Sequence, residues 1–398
     1  MKELKRTWIH LVLLLAAAAV AYVLAQPKDA ADKPLAPGEL ELWKARPEDV
    51  SRIAFDDDKR RVVLERKSDP FGAYYLGKVE PLEAKAEPDP ANPHKTVVEA
   101  ATFPSATTAK ELAKTLATLR ARRSFGAIGD DRMKEFGFDK PDGTLRVTVA
   151  GKEHALLIGT STAGSTTRYA RDLETKVVYV IDGAPISDMK GGAARLAERT
   201  QHEWKWSEPD SITIAAGGKS KRVVRSGTEG RRFWADANAA DQNDETSGNW
   251  LTKAERLRPV TFLESMPADA KRLVRVEYRT GSDERGFLEV HHRSDKESPF
   301  IIVTEQLRLP ATVAKQSASQ LVDDLASVLP GAELPVIPKD ELAAEGPAPS
   351  ASALPSASAV PSASAVPSAS APSASASAGG APSAPKKKGA VKGPAKEK

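Results

Sequence analysis

Apolar and polar positions alternate in Val50-Ser51-Arg52-Ile53-Ala54-Phe55 and again in Arg61-Val62-Val63-Leu64-Glu65-Arg66. A period of two lets a strand bury one face. Asp56-Asp57-Asp58-Lys59 between the runs is a turn-forming cluster, so the pair predicts a β-hairpin. Tyr74-Tyr75-Leu76 predicts a third strand, and a Pro-rich insertion follows over residues 80–104. The spacing then changes: Leu112, Leu116 and Leu119 share one helical face, behind a Thr108-x-x-Glu111 capping box. After a turn at Pro141-Asp142-Gly143, four strands are expected. They centre on Leu145 to Val149, His154 to Ile158, Thr167 to Ala170 and Val177 to Val180.

The same order is then met a second time. Ile212-Thr213-Ile214, a Gly217-Gly218-Lys219 bend and Arg222-Val223-Val224-Arg225 form the hairpin, and Phe233-Trp234 stands where Tyr74-Tyr75 stood. A helical pattern from about Asn249 to Leu257 leads into Phe262. Strands are expected at Leu273 to Tyr278, Phe287 to Val290 and Phe300 to Val303. A last helix, Thr312 to Val328, carries Leu321, Leu325 and Leu329 to the Pro330-Gly331 stop. The expected fold class is therefore α+β: two related units of antiparallel strands with a packed helix each, at 40–200 and 208–330.

Residues 1–26 have a different pattern. Lys2, Lys5 and Arg6 precede an apolar run, Trp8 to Ala25, of about 18 residues, near the lower limit for a ~30 Å hydrocarbon core. Basic residues ahead of the run set the N-terminus in the cytoplasm and the body outside. The run reads as one N-terminal transmembrane helix. The competing reading is a cleaved signal segment, with Val23-Leu24-Ala25 as a small-x-small site before Gln26. Both export the body, so the expected location is the inner (cytoplasmic) membrane, single-pass, with the body periplasmic or extracytoplasmic.

Residues 345–398 repeat PSASA-like units from Pro349 and end in Lys386-Lys387-Lys388 and further lysines. Pro, Ser and small apolar side chains cannot bury enough surface to offset ordering entropy, so a disordered tail is expected. It is either a plain flexible extension or a spacer that carries the lysine cluster to anionic polymers.

Charge changes the picture only once it is partitioned. The chain's formal net charge is +4, of which residues 1–10 carry +2 and residues 386–398 carry +5, leaving −3 for the rest. The basic balance belongs to the two ends and argues against a nucleic-acid surface on the body. The absence of cysteine among the 398 residues removes disulfides, thiolate metal sites and cysteine nucleophiles.

Gly218-Lys219-Ser220 suggests a phosphate-binding loop, but the first glycine of that motif would fall on Thr213, and a strand follows where a helix is needed. His291-His292 would point to opposite faces of a strand and share no ion. The remaining histidines, His10, His94, His154 and His202, form no spaced ligand set. Asp56-Asp57-Asp58 and Asp323-Asp324 read as a turn and a solvated helix face, and Trp204, Trp206, Trp234 and Trp250 as core. No catalytic, cofactor-binding or metal residue is assigned, and no cofactor is expected.

Phe136-Gly137-Phe138-Asp139-Lys140-Pro141 lies ahead of a strand. Leu157-Ile158-Gly159 is followed by a polar loop to Arg168-Tyr169-Ala170-Arg171, and Val178-Tyr179-Val180 comes after. Together these resemble a bacterial family of unknown function, domain of unknown function 4340, over roughly residues 1–330. The resemblance implies a membrane helix followed by repeated units, sometimes encoded beside gliding-motility-type ABC transporters. The tail and the 80–104 insertion lie outside it. The expectation is a non-enzymatic, membrane-tethered accessory protein linked to an ABC-type transporter or envelope assembly. The expected protein partner is a transporter subunit in the envelope, with no nucleic acid. The alternatives are a cell-wall glycan-binding module and, behind it, an envelope hydrolase.

Overall fold

The computed structural model describes residues 35–82, 100–228 and 230–335. The expected membrane segment, the tail and most of the insertion lie outside them. Among the described residues no helix is long and apolar enough to cross a membrane.

The first unit begins with β1 (Leu40–Lys44), β2 (Val50–Asp56), β3 (Arg60–Asp69), β4 (Gly72–Pro81) and β5 (Ala101–Ser105). Helix α1 (Thr107–Ala117) follows, then β6 (Thr118–Ala127), β7 (Gly143–Val149), β8 (Lys152–Ser161), β9 (Thr167–Asp172) and β10 (Val177–Asp182). These strands form one antiparallel sheet in the order β1-β6-β10-β9-β8-β7-β2-β3-β4-β5. Short helices α2 (Ala184–Gly191) and α3 (Ala193–Leu196) close the unit.

The second unit contains β11 (Ser211–Ala216), β12 (Lys219–Thr228), β13 (Arg231–Asp236), α4 (Glu245–Glu255), β14 (Pro259–Phe262), β15 (Lys271–Thr280), β16 (Asp283–His292), β17 (Phe300–Thr304) and β18 (Ala311–Val313). Helices α5 (Lys315–Asp323) and α6 (Leu325–Val328) end it. Its sheet runs β13-β12-β11-β15-β16-β17-β18-β14. With β1 and β5 set aside, the two orders coincide strand for strand. Each places a three-strand meander beside a four-strand one and returns the strand after the helix to the far edge.

The helices stay on the sheets because of what they bury. In α1, Ala109, Leu112, Ala113, Leu116 and Ala117 face a core with Ile53, Phe55, Leu64 and Phe103. Around α4, Trp250, Leu251 and Ala254 join Ile212, Val276, Tyr278 and Leu288. Each fully buried large side chain contributes roughly 1.5–3 kcal/mol. Phe262 packs against both cores and so ties the units together.

Several local expectations are corrected. Leu119 lies on β6, not on the helix, although it is buried. No capping box forms at Thr108, because α1 starts at Thr107, whose N–H donates to Glu198 Oε2 at 3.0 Å. The end of the 80–104 insertion is strand β5, with Pro104 opposite Leu76. Proline is accommodated there because β5 is an edge strand with nothing to donate to on its outer side. The final helix does not begin at Thr312, which sits in β18, and it breaks at Asp324 between α5 and α6.

The Gly217-Gly218 bend needs glycine for two separate reasons. Ala216 pairs with Lys219, so both glycines occupy a two-residue loop at φ 51° and 74°, the left-handed pair that tight hairpins adopt. Gly217 is also overlain by the end of the described chain: the Glu333 N–H donates to Gly217 O at 3.2 Å, and an added Cβ would meet Glu333 N at 2.4 Å. At Gly218 an added Cβ meets nothing within 4 Å. Gly218→Ala is therefore expected to lose about 1 kcal/mol from backbone conformation alone. Gly217→Ala is expected to lose about 2–3 kcal/mol, because overlap is added. Urea midpoints of the two variants check this, and equal losses would remove the role of Glu333.

Candidate functional site

The segment from Glu198 to Pro209 joins the two sheets and gathers the polar chemistry of the body. Glu198 is buried, and its carboxylate accepts the backbone N–H groups of Thr107, Arg199 and Thr200, each at 3.0 Å. It also accepts the Thr200 hydroxyl at 2.6 Å and the Gln306 amide at 3.3 Å. Gln201 turns its amide nitrogen onto the carbonyls of Ala254, Glu255 and Leu257 at 2.7–3.2 Å. These lie around the C-terminal end of α4, where carbonyls lack helical partners.

His202 follows, with its side chain only 6% exposed. Its Nδ1 lies 2.7 Å from Glu305 Oε1, and Glu305 Oε2 accepts the Phe287 N–H at 2.9 Å. Trp204 stacks on the imidazole at 4.2 Å and 13°, and Tyr278 meets the same ring edge-on at 4.7 Å. Trp206 continues the cluster toward Trp204 and Trp234, each at 6.3 Å. Burial drives the Tyr278 phenol well above its ordinary pKa, and the Glu305 and Glu255 carboxylates push the same way. A cavity of about 160 Å³ opens beside this group, lined by Gln201, His202, Trp204, Trp206, Glu255 and Arg258.

A larger cleft, about 550 Å³, lies where the edges of the two sheets meet. Strands β5 and β14 flank it, and Lys78, Phe103, Ala197, Arg199, Val260 and Phe262 are among its walls. The Thr102 hydroxyl donates to Glu264 across the gap at 3.3 Å, and Val260 is 59% exposed. Between the same two sheets, Arg308 ion-pairs with Asp69 at 2.7 Å and covers the rings of Phe71 and Tyr74.

The residues singled out from sequence fall into place one by one. Gly218-Lys219-Ser220 is the bend and start of β12, not a helix N-terminus. Asp57 accepts the N–H groups of Lys59 and Arg60 at 2.8 Å, while Asp56 pairs with Arg61. Asp324 pairs with Lys253. Trp250 is 1% exposed and Trp234 8%, both core residues, whereas Trp204 and Trp206 are half-buried. His154 stacks on Trp43 at 4.3 Å, and burial followed by the nearby Lys152 lowers its pKa. His10 and His94 lie outside the described residues. Among the described residues no group of three metal-ligating side chains converges. No short-range pattern marked Glu198 or the His202–Glu305 pair, whose members stand 103 residues apart.

On strand β16, His291 bonds along its own strand: Nε2 sits 3.0 Å from Glu289 Oε2. That contact, helped by Arg275 and Arg272 and opposed by burial, holds the Glu289 carboxyl at about 2. A carboxyl depressed on folding stabilises the fold fully above its unfolded value of about 4.3, and the contribution is lost as pH falls toward the folded value. The stability gap between wild type and Glu289→Gln is therefore expected to be constant above pH ~5 and to shrink between about 4.3 and 2. Urea midpoints across that window measure it, and a gap that widens with acid would overturn the assignment.

The architecture is that of an α+β protein of two antiparallel sheets with a shared junction. Residues 105–273, from the end of β5 into β15, match the model of a family described as a domain of unknown function (DUF4340). No curated protein and no solved structure matches the chain.

Proposed function

We propose that this chain is a non-enzymatic, membrane-tethered accessory protein of the extracytoplasmic side, acting with an ABC-type transporter or another envelope assembly. The observation that supports it most directly is the cleft between β5 and β14. Both are the outermost strands of their sheets, and an outermost strand offers backbone donors and acceptors to a partner's extended segment. The exposed Val260 adds an apolar contact at that edge. The basic-then-apolar N-terminus, Lys2 to Ala25, supplies the tether in this reading. In this reading the terminal lysines from Lys386 contact anionic polymers.

The test is capture of the full-length protein from membranes in mild detergent, with wild type and Val260→Lys in parallel. A transporter permease is expected to accompany wild type and to be depleted at least several-fold with the variant. Recovery of wild type without any membrane partner would sink the proposal.

A further inference from the structure

We propose that the cavity beside His202 binds a neutral, hydroxyl-rich ligand the size of one sugar ring, held by Gln201, His202 and Trp204 and bounded by Trp206 and Arg258. The inference is independent of the accessory reading above.

The first ground is a concentration of unsatisfied polar atoms. Gln201 Oε1, His202 Nε2, Trp204 Nε1 and Tyr278 Oη are all buried and have no hydrogen-bond partner in the protein. Buried polar atoms are nearly always partnered, and scattered exceptions are ordinary. Here three of the four belong to side chains that line one cavity, and the fourth belongs to a ring packed on two of them.

The second ground is the kind of partner these atoms require. The Glu305 carboxylate oxygen 2.7 Å from His202 Nδ1 takes the proton on that nitrogen, so Nε2 accepts in the neutral ring and donates in the imidazolium, and a hydroxyl answers it in either form. Gln201 spends its amide N–H groups on the end of α4, which leaves Oε1 as an acceptor. The Trp204 indole is a donor only, and the Tyr278 hydroxyl serves either way. A cation would satisfy the acceptors, strand the indole N–H and meet Arg258 at the rim. An anion would face the Gln201 Oε1 acceptor and Glu255. Hydroxyl groups both give and take, and they match the whole set without a net charge.

Shape agrees with chemistry. A volume of about 160 Å³ corresponds to roughly five water molecules at ~30 Å³ each, which suits a single ring and excludes an oligosaccharide from the interior. The indoles of Trp204 and Trp206 supply flat apolar walls for the C–H face of such a ring. The unpartnered atoms are buried in the free protein, so a ligand reaches them only if a lining ring such as that of Trp204 shifts. That ring is held by stacking on His202 and packing on Tyr278, with its Nε1 unbonded.

The ligand's source, a free monosaccharide or the terminal unit of a glycan, is separated by the choice of probes. Full-length protein carrying 5-fluorotryptophan gives a fluorine resonance for each of the six tryptophans, assigned through Trp→Phe variants. Glucose, N-acetylglucosamine and myo-inositol are titrated as free rings, and a soluble N-acetylglucosamine tetramer as a chain end. At least one probe is expected to shift Trp204 and Trp206 saturably in the millimolar range while Trp43 stays fixed. Response to the tetramer but not to the free rings assigns a chain-end ligand, and the converse assigns a free one. In Trp204→Phe, read at Trp206, affinity is expected to fall about five-fold, as for one lost hydrogen bond. An unchanged Trp43 resonance verifies that this variant is folded. Arg258→Ala, at an exposed rim position, provides a second variant and is expected to weaken binding. The proposal fails if no probe moves Trp204 or Trp206, if all six resonances drift together without saturation, or if Trp204→Phe binds as wild type does.

Discussion

Trp250→Ala is expected to destabilise the protein by about 3–5 kcal/mol, the usual range for deleting a buried tryptophan side chain. Trp250 is 1% exposed, and it lies between α4 and the helices that end the second unit. Its indole N–H donates to Leu321 O at 2.8 Å. Leu321 stands in the last turn of α5, where carbonyls have no partner within the helix. The side chain therefore fills the core and caps a helix at once. Trp250→Phe separates the two roles: most of the volume remains, but the Leu321 carbonyl loses its donor, and about 1–2 kcal/mol should be lost. Urea unfolding of both variants, followed by circular dichroism, measures the difference. A loss below about 1 kcal/mol for Trp250→Ala would mean that α5 does not depend on this contact.

Glu198→Ala should cost about 2–4 kcal/mol, because its removal leaves buried donors from three segments unanswered. The N–H of Thr107 at the start of α1, the Thr200 backbone and hydroxyl, and the Gln306 amide all converge on this one carboxylate. Glu198→Gln keeps the size but replaces an acceptor oxygen with a donor facing donors, and it should recover little. The pH dependence carries a definite sign. Burial favours the neutral acid, but the hydrogen bonds from Thr200 and Thr107 outweigh it and hold the carboxyl below its ordinary value. Protons therefore bind the unfolded chain first. The stability gap between wild type and Glu198→Ala should be level above the unfolded carboxyl value and narrow as pH falls through the folded one. Unfolding midpoints from pH 7 down to 3 measure this, and a gap that grows in acid would show that Glu198 is not held ionised by these contacts.

What could be read from the sequence divides along physical lines. The β11–β12 hairpin was legible because alternation and Gly217-Gly218 act within a few residues of each other. Helix α4 was legible from the spacing of Trp250, Leu251 and Ala254, with its start displaced because Asp244 caps the helix by accepting the Ser247 N–H. Strand β6 was hidden by Arg120, Arg122 and Arg123, since only Leu119 and Ala121 bury deeply along it. Strand β18, three residues long, was absorbed into the helix that follows it. The polar junction was beyond reach for a different reason. Glu198 meets Thr107 at a separation of 91 residues and His202 meets Glu305 at 103, and no short-range pattern encodes such pairings. The Trp204-x-Trp206 spacing was visible, but its link to a cavity was not.

The shared strand order has a consequence for how the chain folds. In each unit most neighbouring strands pair through short connections; the distant pairings are those at the far edge, where β6 meets β10 and β1 and where β14 meets β18, and one at the centre. There β2 must find β7, and β11 must find β15, across everything between them. Such a closure is opposed by chain entropy before any contact rewards it, so pairings of this kind set the pace in sheet proteins. Because that entropy grows only logarithmically with length, each doubling adds about 0.6 kcal/mol. The longer span of the first unit is therefore a small handicap, and the two rate-limiting closures should differ little in speed. A chain laid out in this way zips locally in several places and then waits, twice, for its middle to meet.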